Sequence, residues 1–363
     1  MRIVRRSGGQ HSMAMSAAAV AATLIAAACS SGSSGGSSSG SASVINGAGS
    51  TFAAPMYQEW AGQYRSKVSH NVSINYQAIG SGGGISEFTQ GVVDFGATDA
   101  PMSATERSAA QAAQGSVVLH IPMIIGAVAM GYDLPGVTGL KLDGPTIAAI
   151  YLGTITKWND PAIKKLNPGL SPPPTAIQPV ERADSSGTSF AFTSYLSAIS
   201  PAWASKIGAS KSPNWPTGTG ATGSSGVAAA IQQTKGAIGY IEYGYAAQGH
   251  IPVASVANAS GQAIAPSTAS TLAAANTATY PTDITDLTFS LVNSRAAGAY
   301  PIVTPTYILV AQKQKNAAKG KNLVAWLKWD LASAQQSETP KLGYAPLPSR
   351  LISLDNAALN TVH

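Results

Sequence analysis

Apolar strands alternate along the chain with polar loops and with segments whose apolar residues recur at helical spacing. In the clearest unit, residues 177–180 have the pattern of a strand, residues 181–189 form a loop of charged and small polar residues, and residues 190–199 have the apolar character of a helix. Backbone N–H groups at a helix start have no intrahelical partner and carry the positive end of the helix dipole. The loop therefore suits an anion, although an ordinary capped helix after a turn is the alternative.

Two earlier units repeat this design. In the first, residues 46–52 lead from a short strand into a segment with helical spacing. In the second, residues 79–84 end in three glycines, which allow a ligand to approach the backbone closely. The second loop matches neither the Walker A pattern nor the dinucleotide fingerprint. Together the two loops place these residues at predicted helix starts: Ser50, Thr51, Phe52 and Ser81.

Repeated strand, loop and helix units predict an α/β fold with a mainly parallel sheet, in which ligands bind beyond the carboxyl ends of the strands. Residues 117–132 form a long β-rich run, and its interruptions at Pro122 and Gly126 predict two strands that cross to a second lobe. Residues 302–311 are predicted as the strand that returns to the first lobe. We therefore expect two lobes whose loops meet in one cleft.

Two later segments have weaker patterns. Residues 255–287 are expected to form a surface excursion of undefined structure, and residues 340–363 are expected to form a tail. Between them, residues 323–331 have the spacing of an amphipathic helix.

An anion site in this chain requires several helix starts at once. One helix N-terminus contributes roughly 0.3–2 kcal/mol to anion binding, whereas micromolar affinity requires about 8 kcal/mol. Arg182 adds charge-assisted hydrogen bonds of about 1.5–3 kcal/mol each, and its planar fork suits a tetrahedral oxyanion. We therefore interpret the three loops as one site, with Ser186, Gly187 and Thr188 at the third helix start.

Asp99 ends another short apolar strand and is expected at the same rim as the loops. A carboxylate repels a fully deprotonated anion but accepts a hydrogen bond from an anion that retains a proton. Phosphate retains a proton at neutral pH and sulfate does not, so Asp99 predicts selection of phosphate against sulfate. The alternative role is an N-cap for the helix that begins near Ser103. Asp184 is expected to orient Arg182 without contacting the ligand.

Catalytic and metal chemistry have less support. Ser186 and Thr188 could act as nucleophiles, but no G-x-S-x-G elbow surrounds them, and no metal-binding motif is present. After the leader, the histidines all lie outside the Gly/Ser loops: His70, His120, His250 and His363. We expect neither an enzyme nor a bound cofactor or metal, although a phosphoester-acting enzyme that uses Ser186 remains an alternative.

Charge separates this protein from nucleic-acid-binding classes. The chain has 22 Lys and Arg residues against 16 Asp and Glu residues, for a net charge of +6. Three of the positive residues precede residue 7, so the chain without them has a net charge of only +3. No polybasic run or basic patch with interleaved aromatic residues is present, and no nucleic-acid partner is expected.

The first 43 residues have the pattern of an export and anchoring region. Residues 1–28 combine a basic start with a small apolar segment, and they end directly before Cys29, the only cysteine. This arrangement resembles a bacterial lipoprotein signal, with lipidation expected at Cys29 and a Ser/Gly tether over residues 29–43. An ordinary secretory signal is the alternative, and Arg5-Arg6 also permits a twin-arginine route.

The motifs, taken in order, resemble the periplasmic phosphate-binding protein family of ABC-type phosphate importers. The matching segments run from about Val44 to Pro348: residues 47–52, 79–83, 93–101, 150–153, 157–158, 182–190 and 236–240. The resemblance implies a type II periplasmic-binding-protein fold, with lobe I formed by residues 44–124 and 302–363 and lobe II by residues 125–301. It also implies one bound phosphate without a metal, a monomer, and permease and ATPase subunits as partners.

Carried over by position, the resemblance implies these phosphate ligands: Thr51, the Phe52 amide, Ser81, Asp99, Arg182, Ser186, Gly187 and Thr188. Ser50 and Asp184 are expected to support them. Two neighbours depart from the family pattern, because Glu181 occupies a position that is often basic and Ser185 replaces a common glycine. A phosphate sensor or adhesin that has kept the fold without a transport partner is a further alternative.

Overall fold

The structure, a computed structural model, describes residues 43–363. The predicted signal (residues 1–28), Cys29 and nearly all of the predicted tether lie outside these residues. The exception is Ser43, which begins the first strand and pairs with Val72 instead of belonging to a tether.

Strands and helices alternate along the described chain. The strands are β1 (Ser43–Gly49), β2 (Val72–Ala78), β3 (Phe95–Thr98), β4 (Val118–Tyr132), β5 (Lys141–Leu142), β6 (Gln178–Arg182), β7 (Thr219–Ala221), β8 (Ala237–Glu242), β9 (Val253–Ala257), β10 (Ala263–Ile264) and β11 (Val303–Ala311). The helices are α1 (Ala54–Lys67), α2 (Ser81–Gln90), α3 (Ala104–Gln114), α4 (Gly144–Tyr151), α5 (Pro161–Leu166), α6 (Gly187–Ile199), α7 (Pro201–Lys206), α8 (Gly223–Gln233), α9 (Tyr243–Gln248), α10 (Thr268–Asn276), α11 (Ala317–Asp330), α12 (Ser333–Gln336) and α13 (Ser349–Leu359), with a 3₁₀ turn at Thr339–Leu342.

Eight of the described strands form two groups that share β4, while β9 pairs with β4, β5 and β10. In the first lobe, the order is β2-β1-β3-β11-β4, and β1 is parallel to both β2 and β3. In the second lobe, the order is β4-β8-β6-β7, and β6 is parallel to both β8 and β7. The pairs of β11 with β3 and β4, and of β4 with β8, are antiparallel. The predicted parallel arrangement thus holds at the outer part of each lobe, while the central crossing strands are antiparallel.

The crossing itself is one continuous strand. The sequence predicts two strands across residues 117–132, but β4 runs unbroken for 15 residues, all of them buried. Nine of its first ten residues pair with β11, with Met123 skipped, and its last five pair with β8. Pro122 lacks an N–H group, and the register shifts beside it, between Thr306 and Tyr307 of β11. The proline therefore produces a bulge without ending the strand.

Two expectations about the later part of the chain are wrong. Residues 255–287 are not a surface excursion, because α10 buries Thr271, Ala274 and Ala275 and the following segment buries Leu287. Residues 340–363 are not a tail, because α13 buries an apolar face and Tyr344 is fully buried. Burial depends on which surfaces the rest of the fold presents, and the local patterns carried no such information.

The earlier helices follow their patterns closely. Pro55 occupies the first turn of α1, and this helix buries Met56, Trp60 and Tyr64 on one face. Trp60 and Trp326 belong to the same large hydrophobic core. Within residues 43–363, none of the helices combines the length and the apolar character that a membrane crossing requires.

A buried carboxyl group in this core yields a test of stability. Both side-chain oxygens of Asp330 are buried without a hydrogen-bond partner among the described residues, and burial raises the pKa of Asp330 well above its ordinary value. The pKa of Asp330 is higher in the folded protein than in the unfolded protein. The protonated carboxyl group therefore costs no folding stability below about pH 3.9, and stability is lost as the pH rises and the buried group must ionise. We expect Asp330→Asn to raise the free energy of unfolding at neutral pH by roughly 1–3 kcal/mol, with the difference disappearing near pH 4.

Thermal unfolding of the two proteins at several pH values measures this difference. Glu59→Gln, which changes an exposed carboxylate, is the matched control and should leave the midpoint unchanged. A destabilised Asp330→Asn variant at neutral pH would contradict the argument.

Candidate functional site

The carboxyl ends of parallel strands from both lobes meet at one place. In the first lobe, Gly49 of β1 is paired with Ala78 of β2 and Ala97 of β3, so the three strands end at the same edge. In the second lobe, β6 ends at Arg182 beside the end of β7. The predicted phosphate ligands lie at the ends of these strands, in the loops that follow them or in the first turns of the next helices, and hydrogen bonds connect most of them.

Asp99 lies in the middle of the first-lobe contribution. Its side chain accepts a hydrogen bond from the Ser50 hydroxyl at Oδ1 and one from Ser81 Oγ at 3.4 Å at Oδ2. The Asp99 N–H donates to the same Ser81 Oγ at 3.2 Å. The alternative role as an N-cap is wrong, because Ser103 caps α3 in a reciprocal capping box with Glu106.

Gly187 brings the second lobe against this group. Its N–H, in the first turn of α6, donates to Ser81 Oγ at 3.0 Å. A Cβ at this position would lie 2.6 Å from Asp99 Cβ and 2.7 Å from the Asp99 nitrogen. Only glycine permits such an approach. Ser186 caps the same helix, because its Oγ accepts from Ser189 N at 3.2 Å.

Arg182 is the buried cation of the site. Its side chain is 2% exposed. It donates from Nε to Asp184 Oδ1 at 2.7 Å and from Nη2 to Asp184 Oδ2, and Nη1 lies 3.5 Å from Thr188 Oγ1. Its backbone N–H donates to the Tyr240 hydroxyl at 2.8 Å. The planar group is thus held in one orientation, with Nη1 directed toward the start of α6.

Thr51 contacts a residue that sequence reasoning missed. Its Oγ1 lies 3.0 Å from Ser224 Oγ and accepts from Ser224 N at 3.2 Å. Ser224 lies in the first turn of α8, which begins at Gly223. The sequence signal for this helix start was a glycine and a serine shortly before an apolar segment, because the other three loops have the same pattern.

Phe52 takes part through its backbone. Its carbonyl accepts from the Tyr344 hydroxyl at 2.6 Å, and its ring is buried. Among residues 43–363, the N–H of Phe52 has no acceptor. Tyr245 donates to the neighbouring Thr51 carbonyl at 2.8 Å. The carbonyls of Thr51 and Phe52 are therefore both held by tyrosine hydroxyls, and these hydrogen bonds orient the loop between β1 and α1.

Burial controls the electrostatics of the site. Burial raises the pKa of Asp99 to about 7, against the lowering effects of the Ser50 hydrogen bond and of Arg182. Burial would also raise the pKa of Asp184, but the hydrogen bonds from Arg182 and from Gly223 N hold it below its ordinary value. Asp184 is therefore the fixed counter-charge of Arg182, while Asp99 changes protonation state near neutral pH.

Glu181 has less influence on the site than the sequence suggests. It is adjacent to Arg182 in β6, and neighbouring strand residues point to opposite faces. Its carboxyl lies against β7, where a Cβ at Gly220 would be 3.3 Å from Oε1. Burial raises the pKa of Glu181. The negative charge therefore lies on the far side of the sheet from the guanidinium.

The arrangement suits binding of an anion more than catalysis. Its groups are buried hydroxyls, backbone N–H groups at the starts of α2, α6 and α8, and one guanidinium. Among the described residues, no histidine hydrogen-bonds to Ser186. The buried histidine, His120, accepts from Met102 N and lies beside Arg107. The described part of the chain also has no group of three His, Cys, Asp or Glu side chains arranged to hold a metal ion.

Comparison with known proteins places this geometry in a family. The sequence model for the PBP superfamily domain matches residues 33–329. Phosphate-binding protein PstS of Xylella fastidiosa (strain Temecula1) is 39% identical over 310 residues, which cover 85% of this chain and 82% of that protein. Phosphate-binding protein PstS of Pasteurella multocida (strain Pm70) is 38% identical over 322 residues, covering 88% and 91%.

The chain belongs to the PstS family. The family resemblance predicted from the sequence is thereby confirmed. This is a family of substrate-binding proteins and not of enzymes.

Solved structures agree at the level of the fold. PfluDING, a high-affinity periplasmic phosphate-binding protein with bound phosphate, superposes with a TM-score of 0.71 at 22% identity, covering 86% of this chain and 93% of that one. A phosphate-binding protein from Stenotrophomonas maltophilia has a TM-score of 0.68 at 21% identity, covering 87% and 94%. The predicted two-lobe periplasmic-binding-protein fold is confirmed.

The contact at Gly187 yields a test of the site's packing. Gly187→Ala would place a methyl group against the Asp99 backbone, so that α6 or the Asp99 loop must move. We expect a loss of roughly 1–3 kcal/mol in the free energy of unfolding, as for other overpacked positions. Denaturant titration measures this loss.

Gly62→Ala is the matched control, because Gly62 lies in α1 and a Cβ added there would have no atom within 4 Å. It should stabilise the protein by about 0.5–1 kcal/mol. If Gly187→Ala leaves the free energy of unfolding unchanged, the close approach of Gly187 to Asp99 is absent in solution.

Proposed function

We propose that this protein binds inorganic phosphate outside the cytoplasmic membrane and delivers it to an ATP-driven phosphate importer. The observation that carries the proposal is the meeting of the strand ends of both lobes around buried Asp99 and Arg182. Membership of the PstS family, whose named relatives are phosphate-binding proteins, supports the same ligand.

We propose as phosphate ligands the residues expected from the sequence: Thr51, the Phe52 amide, Ser81, Asp99, Arg182, Ser186, Gly187 and Thr188. Ser50 and Asp184 position the ligands without contacting the phosphate, because Ser50 hydrogen-bonds to Asp99 and Asp184 hydrogen-bonds to Arg182. The N–H groups at helix starts and the guanidinium supply donors to the phosphate oxygens. The Asp99 carboxylate accepts from the one phosphate oxygen that keeps its proton.

The remaining parts of the proposal concern location and assembly. The protein is held at the outer face of the cytoplasmic membrane by lipidated Cys29 and acts as a monomer. Its partners are the permease and ATPase subunits of the importer. The lobes are divided at residues 124/125 and 301/302. Both divisions lie close to the crossing strands, since β4 changes from pairing with β11 to pairing with β8 after residue 127 and β11 begins at Val303.

Removal of the guanidinium tests the ligand set. Arg182→Ala eliminates at least two charge-assisted hydrogen bonds and leaves Asp184 without its cation, so phosphate affinity should fall about a hundredfold or more. Titration calorimetry with inorganic phosphate measures the change. Arg65→Ala removes an exposed arginine of α1 and should retain the affinity of the unmodified protein. Phosphate binding that survives in Arg182→Ala would remove Arg182 from the site.

The pKa of Asp99 predicts a pH-dependent selectivity. Above its value of about 7, the carboxylate is ionised and repels sulfate, whereas below it the protonated group can donate to sulfate. The preference for phosphate over sulfate should therefore decrease by about tenfold as the pH falls from about 8 to about 5.5.

Competition between the two anions at each pH measures this preference. In Asp99→Asn the preference should be weak and independent of pH, while Asp94→Asn, which changes a carboxylate paired with Lys319, should behave as the unmodified protein. A preference that grows as the pH falls would refute the role given to Asp99.

A further inference from the structure

An ion pair joins the two lobes at a distance from the proposed phosphate ligands. Lys211 Nζ, in the loop between α7 and β7, lies 2.7 Å from Oε1 and 2.5 Å from Oε2 of Glu106. Glu106 belongs to α3 of the first lobe, and Lys211 belongs to the second lobe. Opening of the cleft must therefore separate two opposite charges.

Glu106 is held in place on the first lobe. Its Oε2 accepts from Ser103 N at 2.8 Å, and its own N–H donates to Ser103 Oγ at 3.2 Å. Residues 100–102 connect this capping box directly to Asp99, and Met102 N is fixed by the buried ring of His120 at 3.1 Å. A displacement of Glu106 is thus transmitted through a short, fixed segment to Asp99.

Lys211 is held equally firmly on the second lobe. Its carbonyl accepts from Ser186 N at 2.9 Å, which fixes the N-cap residue of α6. The preceding residue, Ser210, exchanges two hydrogen bonds with Thr193 of the same helix, at 2.9 and 3.1 Å. The loop therefore moves together with the start of α6, where Gly187 and Thr188 lie.

The ion pair is shielded enough from water to contribute measurably to the stability of the contact between the lobes. The Lys211 side chain is 14% exposed and the Glu106 side chain is 30% exposed. Exposed ion pairs contribute little because water and salt screen them, whereas bidentate, partly buried pairs contribute more. Both carboxylate oxygens of Glu106 face the ammonium group, and the side chain is already ordered by the capping box, so little further entropy is lost on pairing.

We propose that Glu106 and Lys211 form a latch between the lobes that slows the release of bound phosphate. The two paired side chains hydrogen-bond to none of the proposed phosphate ligands. The pair acts by stabilising the closed arrangement, in which the Asp99 loop and the start of α6 lie together. This inference rests on the proposed function, since it assigns a role in holding the same phosphate.

The test compares release of radiolabelled inorganic phosphate, chased with unlabelled phosphate, from the unmodified protein and from variants. Glu106→Gln keeps the capping hydrogen bond and removes only the charge, and Lys211→Met keeps the length of the side chain. Each variant should release phosphate about five to ten times faster with an almost unchanged association rate, and the double variant should be no faster than either single one.

Two further measurements separate a latch from a general loss of structure. Increasing salt should accelerate release from the unmodified protein more than from the single variants, because only the former has an ion pair to screen. The variant with exchanged charges, Glu106→Lys together with Lys211→Glu, can form an ion pair again, so its release of phosphate should be slower than that of the single variants. The control is Lys319→Met, which removes an ion pair with Asp94 inside the first lobe, at 3.0 Å, and should leave release unchanged.

The outcomes distinguish the two proposals. If the unmodified protein does not bind phosphate, the proposed function fails. If it binds phosphate but Glu106→Gln and Lys211→Met release it at the unmodified rate, only the latch fails. Additive effects of the two substitutions, or a slower association with unchanged release, would also overturn the latch.

Discussion

The structure depends on keeping a carboxylate and a guanidinium buried where two lobes meet. Asp99 is 2% exposed and Arg182 is 4% exposed, and burial of either charge is unfavourable unless polar groups compensate for the lost water. Asp184 compensates Arg182 with two hydrogen bonds, while Ser50 and Ser81 compensate Asp99. The unequal compensation leaves the pKa of Asp99 raised to about 7, whereas the pKa of Asp184 is held below its ordinary value.

Hydrogen bonds between the lobes also join the loops of the site. Ser81 of the first lobe accepts from Gly187 N, and Gly82 N donates to the Ser185 carbonyl at 2.9 Å. Thr51 is joined in the same way to Ser224. Several of the hydrogen bonds within the site are therefore also contacts between the two lobes.

A second buried acid connects the crossing strands with the loop at Phe52. Glu242 ends β8 opposite Val128 of β4 and accepts from Gly244 N and Tyr245 N at the start of α9. Burial raises the pKa of Glu242 to about 8. The Tyr344 hydroxyl, which donates to the Phe52 carbonyl, lies 3.5 Å from Glu242 Oε2. The segment after α12, expected as a tail, thus fixes the orientation of a site loop.

The sequence by itself determined the features that depend on a few neighbouring residues. The starts of α1, α2 and α6 and the glycines near them were readable, because capping, helix dipoles and glycine conformations are local properties. The set of candidate ligands came from the family resemblance. Only the tertiary structure decided that β4 is continuous and that Ser224 joins Thr51. It also decided which of the charged residues are buried. These features arise from pairing and burial between distant segments, and a local pattern does not specify what will cover it.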